Sequence, residues 1–251
     1  MTPQILTLIG ALYALSLTFI IGYLIWRGKM EKRTYILILG ITAISGFILL
    51  GPFVPTKLLD LLSGTQQGQI ALVMVSVLGL LLLSALVWGR SFCAYACPIG
   101  AFQELAYRVP VHKARLGKSH ALAVRYLVTV AIIAAAILLG RNLLQELGLV
   151  YIFHLDFGLY SLSFLAIILA SMIVYRPFCR LLCPFGALSA LLARHSMFQM
   201  QKNESCVDCG RCEKACPTGE IGSDGSECYL CMRCLETCRK DGMEFRKRRA
   251  P

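Results

Sequence analysis

Twelve cysteines in 251 residues fall into three sets. The densest is a tandem. Cys206-x2-Cys209-x2-Cys212-x3-Cys216-Pro217 is followed by Cys228-x2-Cys231-x2-Cys234-x3-Cys238, each cysteine recurring 22 residues later. An apolar residue five past the last cysteine recurs with them, as Ile221 and Met243. Zinc sites generally use two separated pairs. Two complete runs in tandem are instead the spacing of a bacterial-type ferredoxin with two [4Fe–4S] clusters. There, three close thiolates hold one cubane and the fourth cysteine reaches the other. On that logic Cys206, Cys209, Cys212 and Cys238 hold one cluster, and Cys228, Cys231, Cys234 and Cys216 hold the second. The second run ends in Cys238-Arg239 rather than Cys-Pro; the proline shapes the chain and is not a ligand, so the assignment stands.

The remaining four cysteines belong to a repeated phrase. Arg90-Ser-Phe92-Cys93-x3-Cys97-Pro98-x-Gly100-Ala101 returns 86 residues later as Arg176-Pro-Phe178-Cys179-x3-Cys183-Pro184-x-Gly186-Ala187. Each proline disfavours helix at the preceding cysteine and suits the first turn of a new one. Cys97 and Cys183 are therefore expected at helix N-termini, where the dipole and free N–H groups favour thiolate. Gly100 and Gly186 would allow close backbone approach. Parallel repeats imply a pseudo-two-fold axis along the membrane normal, which would bring both pairs together. Cys93, Cys97, Cys179 and Cys183 then form either a further metal centre or a reactive dithiol site, against the plainer reading of buried, inert cysteines.

Other chemistry is sparse. No two of His112, His120, His154 and His195 share an apolar run, so a bis-histidine haem has no scaffold. His154 and Asp156 lie in the aromatic stretch Tyr151-Ile-Phe-His154-Leu-Asp156-Phe-Gly158. They are the candidate quinol site, one group accepting a proton as quinol is oxidised; an aromatic belt with a capping aspartate is the alternative. The chain contains no Gly-rich phosphate loop, catalytic Ser or Glu constellation, flavin attachment phrase or c-type haem motif.

The elements that position these residues are apolar helices. The chain is 57% hydrophobic, with mean hydropathy +0.67, and the apolar residues come in long runs. Five membrane spans are expected at roughly 4–26, 35–54, 70–88, 121–140 and 159–175. The first is not a convincing cleavable signal, because nothing basic precedes it. The connections 27–34, 89–125 and 176–195 hold thirteen Lys and Arg, among them Arg90, Arg125, Arg176 and Arg180. The opposite two hold only Lys57 and Arg141. Positive-inside bias puts the N-terminus outside and the C-terminus in the cytoplasm of an inner-membrane protein. Most of the net charge of +11 is read as topology determination and attraction to anionic membrane lipid; docking of an acidic electron carrier is the sharper alternative. Nothing further suggests nucleic acid. Leu-rich amphipathic turns at Lys57 to Leu62 and Arg141 to Leu147 are expected along the outer interface.

Spans ending in two C-x3-C-P phrases, followed by a tandem C-x2-C-x2-C-x3-C region, resemble the NapH/NosR family of membrane polyferredoxins. The resemblance covers about residues 70 to 245. Members of that family are described as quinol dehydrogenase components, and a related branch assists cytochrome oxidase assembly. The resemblance implies that the eight tail cysteines are cluster ligands and that Cys93, Cys97, Cys179 and Cys183 are redox-active or metal-binding. The outer flavin-binding domain of NosR-type members has no counterpart here, so a flavin step would belong to a partner.

The expected fold is an α-helical polytopic membrane protein of about five spans with a parallel two-helix repeat (1–195) and a small C-terminal α+β dicluster ferredoxin-like domain (196–251). The expected function is electron transfer between the quinol pool and a redox partner protein, a cytochrome, reductase subunit or soluble carrier, as part of a quinol dehydrogenase. Two rival functions are an assembly factor that uses its clusters for reduction and a quinone-coupled dithiol oxidoreductase.

Overall fold

The computed structural model describes residues 3–28, 30–48, 54–64, 69–140, 142–146 and 161–248. Helices dominate. α1 (Pro3–Trp26) and α2 (Lys32–Ile48) precede a short α3 (Val54–Leu62) and the long α4 (Gln69–Trp88). After the first cysteine phrase come α5 (Pro98–Tyr107), α6 (Lys118–Leu139), the single turn α7 (Leu143–Glu146) and α8 (Ser161–Ile173). The second phrase leads into α9 (Pro184–Ala193). The tail is β1 (Phe198–Lys202), α10 (Arg211–Ala215), α11 (Arg233–Thr237) and β2 (Met243–Lys247).

The repeat is visible in the packing. α2-α3-α4-α5 and α6-α7-α8-α9 are successive units. Within each, the last helix packs on the first, as α2 on α5 and α6 on α9. Between them, the last helix of one packs on the second long helix of the other, as α5 on α8 and α4 on α9. α1 stands outside this symmetry and packs on α4 and on the first cysteine phrase. Of the five expected spans, α4 over 71–88 and α6 over 118–139 are long and apolar enough to cross a membrane. The apolar parts of α1 (12–26) and α8 (162–173) are shorter among the described residues.

The amphipathic turns do not lie loosely at an interface. Leu58, Leu59 and Leu144 join the core formed by Phe92, Cys93, Phe178 and Cys183. The Asn142 amide donates to the Thr56 carbonyl at 2.9 Å and to Asp60 Oδ1 at 2.7 Å, tying the second connection to α3. These connections fold inward because their leucines gain more by burial against the bundle than at a half-wet interface, about 1.5–3 kcal/mol per side chain.

The tail is a small antiparallel ribbon, β1 with β2, Met200 opposite Phe245, carrying two cysteine loops. An aromatic stack fixes it to the bundle. The Trp88 ring at the end of α4 lies 4.7 Å from Phe198 and 6.3 Å from Phe245, and Trp26 at the end of α1 meets Phe198 edge-on at 6.1 Å. The Met197 N–H donates to the Leu86 carbonyl at 2.7 Å.

Candidate iron–sulfur sites

The two tail loops have the same backbone. Asp208 and Leu230 both sit at φ 48°, and Gly210 and Met232 at φ 68° and 63°. These left-handed residues curl the chain around the cysteines and are unusual for the non-glycine members. The fourth cysteine of each run closes the short helix that follows, and its sulfur accepts a backbone N–H: Glu220 N to Cys216 Sγ at 3.3 Å, Gly242 N to Cys238 Sγ at 3.2 Å. Gly242 is required, since a Cβ there would lie 2.9 Å from the Cys206 backbone.

The cysteines gather in crossed sets. Cys206, Cys209, Cys212 and Cys238 line one cavity of about 290 Å³. Cys216, Cys228, Cys231 and Cys234 line a second of about 40 Å³. All twelve cysteines are free thiols in the described chain. No three His, Cys, Asp or Glu among the described residues are gathered tightly enough to hold a single ion. Sulfurs on one zinc lie only about 4 Å apart at a Zn–S distance of about 2.3 Å. Four cysteines around each cavity, with backbone N–H groups on the Cys216 and Cys238 sulfurs, suit a cluster better. The first cradle is the outer one, with Cys209 exposed and Val207 64% exposed. The second faces the bundle.

The C-x3-C-P cysteines meet as the repeat implied. Cys93, Cys97, Cys179 and Cys183 line one narrow cavity of about 10 Å³ with Phe92, Phe178 and Phe185. Pro55 of α3 lines it too, so the connection between α2 and α4 folds back to reach it. Each phrase opens with a π-helical turn, Phe92–Ala96 and Phe178–Leu182, closed by Cys97 N to Phe92 O and Cys183 N to Phe178 O at 3.0 Å. Such turns concentrate at functional sites. Cys97 and Cys183 are the N-caps of α5 and α9, with Pro98 and Pro184 in the first turn, as expected. The Cys183 sulfur accepts the Gly186 N–H at 3.3 Å. The expected thiolates do not follow from this. Burial, with the charges of Cys179 and Cys93, pushes the Cys97 thiol up to about 12. Burial likewise lifts Cys179 to about 11 despite Arg176 and Arg90. Deprotonated sulfurs here need a bound cation.

Each repeat reaches across the axis into the other. Arg90 Nη2 donates to the Gly186 carbonyl at 2.9 Å, and Arg176 Nη1 to the Cys93 carbonyl at 2.6 Å. A Cβ on Gly100 would lie 2.3 Å from the Cys93 oxygen and 3.1 Å from Arg176; one on Gly186 would lie 2.8 Å from the Cys179 oxygen and 3.2 Å from Arg90. Gln103 Nε2 donates to Cys179 Sγ at 3.2 Å, and its repeat counterpart Ser189 lies 3.7 Å from Cys93 Sγ. Sequence reasoning missed this polar pair; the 86-residue offset between Gln103 and Ser189 was the available signal.

Arg90, Arg125, Arg176 and Arg180 are not lipid-facing loop charges. All four are at most 1% exposed. Glu227 of the tail accepts Arg125 at 2.6 Å, Arg90 at 2.9 Å and Arg180 at 3.3 Å. Glu104 of α5 accepts Arg233 at 2.6 Å, the Tyr175 hydroxyl at 2.7 Å and Arg176 at 3.2 Å. Charges this deep are stable only when paired, so they serve internal bonds. In the repeat frame Arg176 has Glu104, but the position facing Arg90 is Ala190, and Glu227 supplies the missing carboxylate. Burial alone would raise the Glu227 carboxyl; Arg90 and Arg125 outweigh it and hold it below the usual range. His112, His120 and His195 are exposed. His154 and Asp156 lie outside the described residues.

A family model described as a 4Fe-4S binding domain matches residues 70–118 and 157–200, which are the two halves carrying the C-x3-C-P phrases. The putative electron transport protein YccM of Escherichia coli is 28% identical over 206 residues, 71% of this chain and 57% of its own length. The methylamine utilization ferredoxin-type protein MauN of Paracoccus denitrificans is 26% identical over 225 residues, 85% of this chain and 74% of its own. The regulatory protein NosR of Pseudomonas aeruginosa is 28% identical over 177 residues, 61% of this chain but 24% of its own. No solved structure matches. With the crossed cysteine cradles and the paired phrases already in view, these matches make the chain an iron–sulfur electron-transfer protein similar to the ferredoxin-type proteins of the NapH/NosR class.

Proposed function

We propose that the protein is an inner-membrane relay that carries single electrons between the quinol pool and a redox partner through three iron–sulfur centres. Two are [4Fe–4S] clusters of the tail, held by Cys206, Cys209, Cys212 and Cys238 in the outer cradle and by Cys216, Cys228, Cys231 and Cys234 in the inner one. The third is held by Cys93, Cys97, Cys179 and Cys183 on the repeat axis. When bound, each centre supplies a one-electron carrier; the chain holds them close together and sets their potentials. The topology read from Lys and Arg bias, five spans with the tail in the cytoplasm, belongs to this proposal. So does a quinol site at His154 and Asp156.

The observation that carries it is the continuity of the three cysteine sets. Tyr229, between Cys228 and Cys231, lines the inner tail cavity and packs in the same core as Cys93, Cys179 and Cys183. Charge supports the axis centre. Four arginines at 1% exposure or less face two equally buried carboxylates, Glu104 and Glu227. Arg90 Nε, Arg125 Nε and Nη2, and Arg180 Nη1 have no hydrogen-bond partner among the described residues. Neutral thiols would leave that positive excess uncompensated at high cost. A metal centre on four thiolates is a net anion and offsets it. The same charges favour the reduced state of nearby clusters and lift potentials from the ferredoxin range, about −400 mV for some types, towards that of quinol.

The test is iron and acid-labile sulfide on anaerobically purified protein, with EPR after dithionite and after quinol. The relay expects iron above the eight of a dicluster tail, the excess lost in Cys97→Ala, and signals that appear with quinol alone. Iron limited to the tail, or no response to quinol, overturns the corresponding part.

A further inference from the structure

Tyr229 stands where the tail enters the repeat axis. Its ring is 2% exposed. The Arg90 guanidinium lies 4.2 Å from the ring centroid and that of Arg176 4.8 Å, so the arginine that opens each phrase stacks on it. Tyr175 meets it edge-on at 5.8 Å. Flanking groups fix its place: Glu227 through Arg90, Arg125 and Arg180, and the Leu230 carbonyl through the Tyr95 hydroxyl at 2.7 Å. The counterpart in the outer loop, Val207, is solvent-exposed, so an aromatic at this position is not a requirement of the cysteine loop itself.

A buried tyrosine hydroxyl normally has a partner. That of Tyr229 has none among the described residues. Tyr229 packs in the same core as Cys93, Cys179 and Cys183, and the two guanidinium groups on its ring bond carbonyls of the two phrases, Arg90 that of Gly186 and Arg176 that of Cys93. Two other polar side chains already point at sulfurs of the axis pocket, Gln103 at Cys179 and Ser189 near Cys93.

We propose that Tyr229 is a positioning residue for the axis centre: clamped between Arg90 and Arg176, it donates its hydroxyl hydrogen bond to sulfur of that centre. This inference rests on the reading that Cys93, Cys97, Cys179 and Cys183 hold an iron–sulfur centre. Hydrogen bonds to cluster sulfur stabilise the more negative, reduced state and raise the potential. Tyr229 would therefore raise the potential of the axis centre, and its ring would join that centre to the inner cluster through one side chain.

The test compares full-length wild type, Tyr229→Phe, Tyr229→Leu and Cys97→Ala, each purified anaerobically, by iron content and EPR-monitored redox titration. Tyr229→Phe keeps the ring and its arginines. It should retain wild-type iron while the centre absent from Cys97→Ala titrates at more negative potential and the outer cluster is unmoved. Tyr229→Leu, which also loses the clamp, should show at least the same shift. A wild type whose iron is unchanged in Cys97→Ala would remove the axis centre itself and the inference with it. An axis centre that is present and titrates identically in wild type and Tyr229→Phe would refute the hydrogen bond while leaving that centre standing.

Discussion

Replacing Glu227 by glutamine tests how the tail is held. The carboxylate is 1% exposed and bonds three arginines that are themselves at most 1% exposed. Glutamine keeps the shape and one acceptor but leaves Arg90, Arg125 and Arg180 facing a neutral amide. Removing one partner of a buried ion pair costs about 3–5 kcal/mol, because the remaining charge is stranded. For a chain of this size that corresponds to a fall of roughly 10 °C in unfolding midpoint. The aromatic stack of Trp88 on Phe198 and Phe245 is a separate attachment that holds the ribbon, so the loss should concentrate in the segment around 218–232. The assay is limited proteolysis of detergent-solubilised Glu227→Gln alongside thermal unfolding, with Lys202→Ala as a surface control. Wild-type midpoint and cleavage pattern in Glu227→Gln would refute the claim that this carboxylate anchors the tail.

Other perturbations have equally definite outcomes. Cys206→Ala should lose the outer cluster with the bundle intact, whereas Cys228→Ala should lose the inner cluster and loosen the docked tail; iron content and protease sensitivity separate the two. Gly100→Ala puts a methyl 2.3 Å from the Cys93 oxygen and should cost at least about 2 kcal/mol by overpacking, read as a lower unfolding midpoint and loss of the axis centre. Burial would raise the Glu104 carboxyl, but Arg176, Arg233 and the Tyr175 hydroxyl outweigh it and hold it below its ordinary value. Its contribution is therefore present above the unfolded value, about 4.3, and is lost as pH falls through the lower folded one. Stability against pH should drop on the acid side, and Glu104→Gln should flatten that limb.

The cysteine cradles were legible because they are local: a C-x2-C-x2-C loop leaves the chain few ways to fold around one centre, and the fourth cysteine, three residues later, leads away to the other. The paired phrases were legible because a pattern repeated at one offset survives without knowledge of contacts. Gly100 and Gly186 show the limit. Their role as close-approach points could be read, but not that each faces the other repeat's arginine. Glu227 and Tyr229 were invisible because their partners lie on elements about 50 to 140 residues away and a single Glu or Tyr carries no period. Arg125 and Arg180 were misread for the same reason. Lys and Arg bias treats every basic residue near a span end as solvated, and only tertiary structure separates a lipid-facing arginine from one enclosed by a carboxylate. The connections containing α3 and α7 were expected at the surface because amphipathicity says which face is apolar, not what covers it.

The carboxylate opposite Arg90 is synthesised some 130 residues after that arginine and belongs to a segment that folds around metal. Until the tail arrives and is loaded, the bundle holds three arginines with no counter-charge in an apolar setting. An iron-starved cell would thus make a chain that is defective in its helices as well as in its cofactor domain. Chains with stranded buried charges unfold more readily and unfolded chains are triaged by proteases, so cluster supply would govern how much of this protein persists.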